Sequence, residues 1–324
     1  MSRMQVASIY EPVQAELRQV EAALDAVTRS DNPQVQRMLS HVLAAGGKRL
    51  RPTIALLAGR FGSYRPELLV PLAASIELLH TATLVHDDVI DESDMRRGRP
   101  TTNSRHHNAA AVMLGDYMFA HAAELICRTE SLDVVKLFSR TLMAMASGEL
   151  AQDLSAYQFS NDTLDYFRRI SGKTASLFAT SAEGGALAAG APASWVQALR
   201  NYGENVGMAF QVVDDVLDFE GDEAELGKPA GSDLLQGTLT LPALLFLERQ
   251  PENNPIRKLF ENEHATEHLA EALHSVAGSG VLDEAYAVAR DFRDRAVAAL
   301  EPLSDSTDRA ALVEIADYVL SRRS

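Results

Sequence analysis

Apolar residues recur at three- and four-residue spacings along almost the whole of this chain, and no run alternates as a half-buried strand would. Stretches rich in Ala, Leu, Glu, Gln and Arg are separated by short breakers, the pattern of a helical bundle. The spacing predicts helices beginning near Ile9, Asn32, Leu50, Pro66, Asn103, Ser131, Asn161, Pro192, Thr238, Thr266, Gly280 and Ser306. Pro66 and Pro71 suit early helical turns, and Pro192 after Gly190-Ala191 marks a stop and restart. Arg249 to Pro255 reads as a polar surface connection. The greasiest segment, Leu68 to Val89, is broken by Glu77, His80 and His86 and reads as a buried helix. No stretch approaches the ~20 uninterrupted apolar residues of a membrane span. No composition shift marks a linker, so we expect an all-α bundle of roughly a dozen helices, residues 1–324 forming a single domain.

Composition narrows the function without choosing it. The 324 residues are 46% hydrophobic and 23% charged, ordinary for a globular protein with a substantial core. A formal net charge of −15 argues against a nucleic-acid or anionic-membrane surface. An anionic substrate must therefore meet locally concentrated Lys and Arg, or metal ions. Cys127 is the single cysteine, which removes any disulfide framework within the chain and favours a reducing cytoplasm. It sits in an apolar helix and reads as a packing residue. The start, Met1-Ser2-Arg3-Met4-Gln5, leads into a mixed polar run rather than the apolar core of a signal peptide.

One string changes the picture. Asp-Asp-x-x-Asp occurs twice, as Asp87-Asp88-Val89-Ile90-Asp91 and Asp214-Asp215-Val216-Leu217-Asp218, each at the end of an apolar helical run. On a helix its first and fifth residues share a face, with Cβ atoms about 5–6 Å apart. Carboxylates that close repel one another in apolar surroundings unless a cation lies between them. Oxygen-only ligands, few and rigidly held, suit Mg²⁺, whose shell is completed by water and substrate phosphates. A single copy is better read as a solvated helix end. Two copies, 127 residues apart and each followed by cations, favour two facing Mg²⁺–phosphate platforms.

The cations follow. Gly46-Gly47-Lys48-Arg49-Leu50-Arg51-Pro52 puts three of them in four positions before a helix start, where backbone N–H groups attract anions. A metal-free diphosphate pocket and a solvated basic turn are equally good readings of that run alone. A lone His on an apolar helix is more often a core residue, but His80 lies seven residues before Asp87, about 10 Å along the same helix face, within reach of a neighbouring diphosphate. His86 reads as structural. Arg96 and Arg97 stand in a loop able to fold back over the first platform, and Lys228 stands in a Gly- and Pro-containing second loop, Gly221 to Gly231. Gly172-Lys173-Thr174 lacks the upstream glycines and strand of a P-loop, leaving a lysine that reaches a phosphate from a helix. Gln211 shares a face with Asp214. His106, His107 and Asp116 are not spaced as a zinc site.

Taken together, these motifs resemble the all-trans polyprenyl diphosphate synthases. The Gly-Gly-Lys-Arg turn, both aspartate strings, Arg96-Arg97-Gly98, Gly-Lys-Thr, Phe210-Gln211 and Gly227-Lys228-Pro229 occur in that family's order across roughly residues 46 to 242. The resemblance implies a helical fold around a deep central cavity, usually as a homodimer. It implies two or three Mg²⁺ ions on Asp87, Asp88, Asp91, Asp214, Asp215 and Asp218, bridging an allylic diphosphate. Arg96, Lys173, Thr174, Gln211 and Lys228 would contact that diphosphate, while Lys48, Arg51, His80 and Arg97 would hold isopentenyl diphosphate. Leu235 and Gly237-Thr238 stand where the family often has Arg and Gly-Lys, which removes one auxiliary lysine contact.

The implied reaction is condensation of isopentenyl diphosphate with an allylic diphosphate. In the family, aromatic residues four or five positions before the first aspartate act as a floor to the product tunnel. Here those positions are Thr83 and Ala82, both small, and the two-residue insertion of short-chain bacterial enzymes is missing. Products longer than geranylgeranyl diphosphate follow, from a tunnel lined by residues 72–85 and 112–126, with Met118 and Phe119 as candidates for a deeper stop, although core packing is the better reading of both. The rivals are a geranylgeranyl diphosphate synthase, a terpene cyclase, which would not need the Lys48–Arg51 pocket, and a non-catalytic partner subunit, which usually loses one aspartate string. A phosphohydrolase built on His86-Asp87 is weaker still, since no further His–Asp set accompanies it.

Overall fold

The computed structural model describes residues 9–159, 162–220, 230–252, 254–261 and 266–323, and most of them are helical. A 3₁₀ turn, Glu11–Val13, leads into α1 (Gln14–Val27), α2 (Pro33–Leu43), α3 (Leu50–Gly59) and α4 (Pro66–Ile90). After a short hairpin, β1 (Met95–Arg96) with β2 (Arg99–Pro100), come α5 (Thr102–Arg105), α6 (Asn108–Cys127), α7 (Leu132–Leu154) and α8 (Thr163–Ile170). A π-helical turn, Ser171–Ala175, joins α8 to α9 (Ser176–Ala188), and α10 (Ala193–Glu220) follows. The rest is α11 (Ser232–Leu235), α12 (Leu241–Arg249), α13 (Pro255–Glu261), α14 (Thr266–Gly278), α15 (Val281–Ala299) and α16 (Thr307–Leu320), ending in a 3₁₀ turn, Ser321–Arg323.

Local chemistry sets the helix ends. The side chains of Asn32, Ser131, Asp162 and Ser306 each accept a hydrogen bond from a backbone N–H two or three residues on, satisfying donors that the first turn leaves free. Gly190, at φ +65, ends α9: its N–H bonds Leu187 O and that of Ala191 bonds Ala186 O.

Some boundaries differ from the pattern-based expectation. The helix expected at Asn103 breaks into α5 and α6, because the His107 ring accepts from Ala110 N and caps a fresh start. Asn161 lies outside the described residues; α8 begins at Thr163. The helix expected near Thr238 starts at Leu241, after the short α11. Pro255 begins α13 rather than ending a surface connection, and Pro71 lies inside α4. Cys127 is exposed at the end of α6, not packed. The hairpin is the other surprise. Its turn residues Arg97 (φ +51) and Gly98 (φ +71) both take the left-handed conformation that a two-residue hairpin turn requires.

Two apolar clusters make the core. One surrounds α3, α4 and α9 and includes Ile54, Leu57, Leu79, Phe178 and Tyr202, whose hydroxyl donates to Leu312 O at 2.6 Å and ties α10 to α16. The other surrounds the end of α10 and includes Val212, Val216, Phe246 and Val281. By length and composition α4 and α6 both reach the measure of a membrane span, but 72% of the most apolar window of α4 is buried in this core, against 39% for α6. The long helices α4 and α10 carry the two aspartate strings to their C-terminal ends.

Candidate active site

Helix C-termini carry partial negative charge and favour cations. Both aspartate strings lie there, so each carboxylate meets a helix end that raises the local demand for positive charge. The two ends open onto one cleft of about 1110 Å³ lined by Asp87, Asp91, Asp214 and Asp215, together with Lys48, Arg96, Arg97, Lys173, Thr174 and Gln211. Asp88 and Asp218 are not brought to its wall. Asp88 accepts from Arg96 Nε at 2.5 Å and faces a smaller cavity shared with Glu77 and His80. Asp218 is buried and accepts from Ser232 Oγ at 3.1 Å and Asp233 N at 3.3 Å, holding the start of α11.

The carboxylates are held against their own charge. Burial pushes Asp87 up to about 7; Lys173 opposes this, while Glu149 and Asp91 add to it. Burial likewise pushes Asp215 up to about 8, with Asp233 adding; hydrogen bonds from Tyr166 Oη at 2.6 Å and Gln211 Nε2 at 2.8 Å pull the other way. Groups this costly to ionise gain most from a cation beside them. Among the described residues no three or more His, Cys, Asp or Glu side chains cluster as a metal cage. Pairs of carboxylates on facing helices, completed by substrate oxygens, fit Mg²⁺ better than an all-protein cage does.

Lys173 and Thr174 sit on the π-helical turn, a form often found at functional sites. That turn is approached by α7 at Gly148, where a Cβ would come within 2.9 Å of Lys173 N. Lys173 Nζ bonds Glu149 Oε2 at 2.6 Å; burial works against its charge, but Asp87 and Glu149 outweigh it and hold the ammonium above its ordinary value. Thr174 Oγ1 donates to Gln211 Oε1 at 2.7 Å, so Thr174, Gln211, Asp215 and Tyr166 form one chain of hydrogen bonds.

The basic turn is divided among several surroundings. Lys48 reaches the main cleft with its Nζ 5.2 Å from the Tyr318 ring centre. Arg51 stacks on Phe178 at 4.2 Å, its Nε is buried without a partner, and burial lowers it to about 10. His80 lines the smaller cavity, where burial and then Arg51 keep its ring well below the usual value. Arg96 and Arg97 line both spaces, and Arg97 Nη1 donates to Gly46 O. Lys228 lies outside the described residues.

Ala82 is fully buried on α4, and Thr83 donates its hydroxyl to His80 O at 2.7 Å. Met118 is buried in the same core as Ala82. His86 is structural: Nε2 lies 3.0 Å from Val112 O and the ring meets Phe119 edge-on at 5.2 Å.

Pattern reading missed Tyr166, Glu149 and above all Arg322. Arg322 comes from the chain's last turn to line the cleft, where Nη2 pairs with Asp214 Oδ1 at 2.7 Å and the guanidinium stacks on Phe210 at 4.2 Å. Its only sequence signal is a basic pair after the last helical run, which has no local meaning.

Comparison with known proteins agrees with this geometry. Residues 32–276 match the profile of a family described as polyprenyl synthetase. The chain is 38% identical over 319 residues to heptaprenyl diphosphate synthase component 2 of Geobacillus stearothermophilus, covering 98% of this chain and 99% of that one. It is 36% identical to the octaprenyl diphosphate synthase of Escherichia coli (strain K12), covering 98% and 99% respectively. A crystal structure of a polyprenyl synthase from Caulobacter crescentus CB15, complexed with calcium and isoprenyl diphosphate, superposes with a TM-score of 0.94 at 36% identity, covering 98% of each chain. With the two aspartate-bearing helix ends opening onto one cleft that also carries Lys and Arg side chains, this chain belongs to the polyprenyl synthetase family.

Proposed function

We propose that the cleft joins isopentenyl diphosphate to an allylic diphosphate and releases an all-trans polyprenyl diphosphate longer than geranylgeranyl. The prenyltransferase class follows from the family; the residue roles are our reading. The observation that carries them is the convergence of Asp87, Asp91, Asp214 and Asp215 on one cleft that also holds Lys48, Lys173 and Arg322. These four carboxylates would hold two or three Mg²⁺ ions, with Asp88 and Asp218 in support through Arg96 and α11. Bound Mg²⁺ supplies Lewis-acid stabilisation of the departing diphosphate. Lys173, Arg96, Thr174 and Gln211 would orient the allylic diphosphate, and preorganised cations stabilise charge that grows on its leaving oxygens. Lys48, Arg51, His80 and Arg97 would present isopentenyl diphosphate, and much of the rate comes from proximity. We assign residues 1–324 to one catalytic unit, since Arg322 at its end reaches the cleft. The single cysteine supports a cytoplasmic setting.

We place a second copy of this chain against α6 and α7, which expose Met113 (69%), Leu132 (67%), Leu150 (59%) and Leu154 (67%). A second reading, favoured by the name of the Geobacillus relative, seats a different subunit there. The test is to incubate the purified chain with labelled isopentenyl diphosphate, a defined allylic primer and Mg²⁺, then separate the products by chain length. Prenyl diphosphates longer than geranylgeranyl support the reading; released hydrocarbon without label marks a cyclase. Light scattering on the same sample settles the partner: a dimer that is active alone supports the homodimer.

A further inference from the structure

The turn assigned above to isopentenyl diphosphate is braced from beneath by a carboxylate with no part in that assignment. Glu77 lies in the middle of α4, 5% exposed, with Ile76 and Leu78 on either side. An acidic side chain so placed is strongly disfavoured unless it is paired. Its Oε1 accepts from Arg49 Nη1 at 2.6 Å, and Arg49 Nε donates at 2.6 Å to Glu21 on α1.

Arg49 is the residue on which the turn pivots. It precedes the first residue of α3 and takes φ +50, a conformation rare for a side chain of its size. The neighbouring backbone lies against the same carboxylate: a Cβ on Gly47 would sit 3.3 Å from Arg97 Nη1, 3.5 Å from Glu77 Oε1 and 3.6 Å from Arg49 Nη1. Tyr10 Oη donates to Lys48 O and Thr53 Oγ1 to Arg49 O, at 2.6 and 2.7 Å. The carbonyls are thus tied down, whereas Arg51 Nε is a buried donor with no partner.

The three cations of the turn therefore divide their labour. Arg49 turns inward and is spent on Glu21 and Glu77. Lys48 faces the cleft, and Arg51 keeps an unpaired donor. We infer that Glu77 is a positioning residue for isopentenyl diphosphate: through Arg49 it fixes the left-handed corner that aims Lys48 and Arg51, and its charge offsets the mutual repulsion of Arg49, Arg51 and Arg97. The inference rests on the assignment of that turn to isopentenyl diphosphate. A merely structural ion pair would leave both substrates equally affected by its loss.

The experiment measures KM for each substrate separately in Glu77→Gln, Arg49→Lys and Lys48→Ala, with melting temperatures alongside. Gln keeps the shape and one acceptor but removes the charge; Lys keeps the charge of Arg49 but cannot fork between two carboxylates. The inference predicts that both variants raise KM for isopentenyl diphosphate about tenfold while KM for the allylic substrate stays within about twofold, a difference of roughly 1.4 kcal/mol in binding. Arg49→Lys decides the matter if Glu77→Gln does not fold. Equal changes in both KM values, or none, overturn the inference. If Lys48→Ala leaves the KM for isopentenyl diphosphate unchanged, the turn assignment falls and the inference with it; if Lys48→Ala raises it while Glu77→Gln and Arg49→Lys do not, only the inference falls.

Discussion

Tyr166→Phe removes one oxygen from the support of the second aspartate string and nothing else. Tyr166 is 2% exposed and its hydroxyl donates to Asp215 Oδ2 at 2.6 Å, so Phe fills the same space and leaves Asp215 with Gln211 alone on this side. A hydrogen bond to a charged group contributes about 1.5–3 kcal/mol net. That corresponds to a factor of about 10 to 150 in an equilibrium constant. Residues that orient metal-binding side chains fall in the same range, about 10–100-fold in metal affinity or activity. The bond favours the ionised form, so its loss pushes Asp215 further above about 8 and leaves less carboxylate free for a metal near neutral pH. The assay is initial rate against Mg²⁺ concentration at several pH values. Half-saturating Mg²⁺ should rise at least about tenfold at pH 7. The defect should shrink as pH approaches 9, and kcat at saturating Mg²⁺ should largely return. An unchanged Mg²⁺ requirement, or a kcat loss that no Mg²⁺ concentration restores, would refute the reasoning.

Two further outcomes follow from the same geometry. Asp87 and Asp215 are raised to about 7 and about 8 in the folded chain, so between the unfolded carboxylate range near pH 4 and pH 8 the folded state binds more protons. The unliganded protein should therefore lose melting temperature as pH rises from about 5 to 8 and level off above that, and saturating Mg²⁺ with pyrophosphate should flatten that slope; parallel slopes with and without ligand would contradict this. Ala82→Phe places a ring in the buried core to which Ala82 and Met118 both belong, at a cost of about 1–3 kcal/mol for overpacking. It should lower the melting temperature and shift products to shorter chains, and an unchanged chain-length profile would put the floor elsewhere.

What was legible in the chain is what obeys local rules. Caps at Asn32, Ser131 and Ser306 follow from side chains that satisfy their own backbone, so they stand in the sequence as written. The pairing of Asp87 with Asp91 on one face is a matter of helical period, and both line the cleft. The same period places Asp218 beside Asp214, yet Asp218 turns to α11, because the first residues of that short helix, Ser232 and Asp233, offer it donors. The π-helical turn that carries Lys173 packs closely on Gly148 of a different helix, a contact no local pattern announces. The hairpin at Arg97-Gly98 was hidden because two-residue strands are too short to alternate. Arg322 was invisible for a simpler reason: its meaning comes from Asp214, 108 residues earlier.

The most direct test of the account is the rate of label transfer from isopentenyl diphosphate in Asp87→Ala/Asp214→Ala, measured beside the parent with Mg²⁺ and with excess chelator. Removing one preorganised electrostatic element typically costs about 10²–10³-fold in kcat. The account predicts at least that loss in the double variant, and no turnover by the parent in chelator. Near-parental transfer under either condition would contradict it.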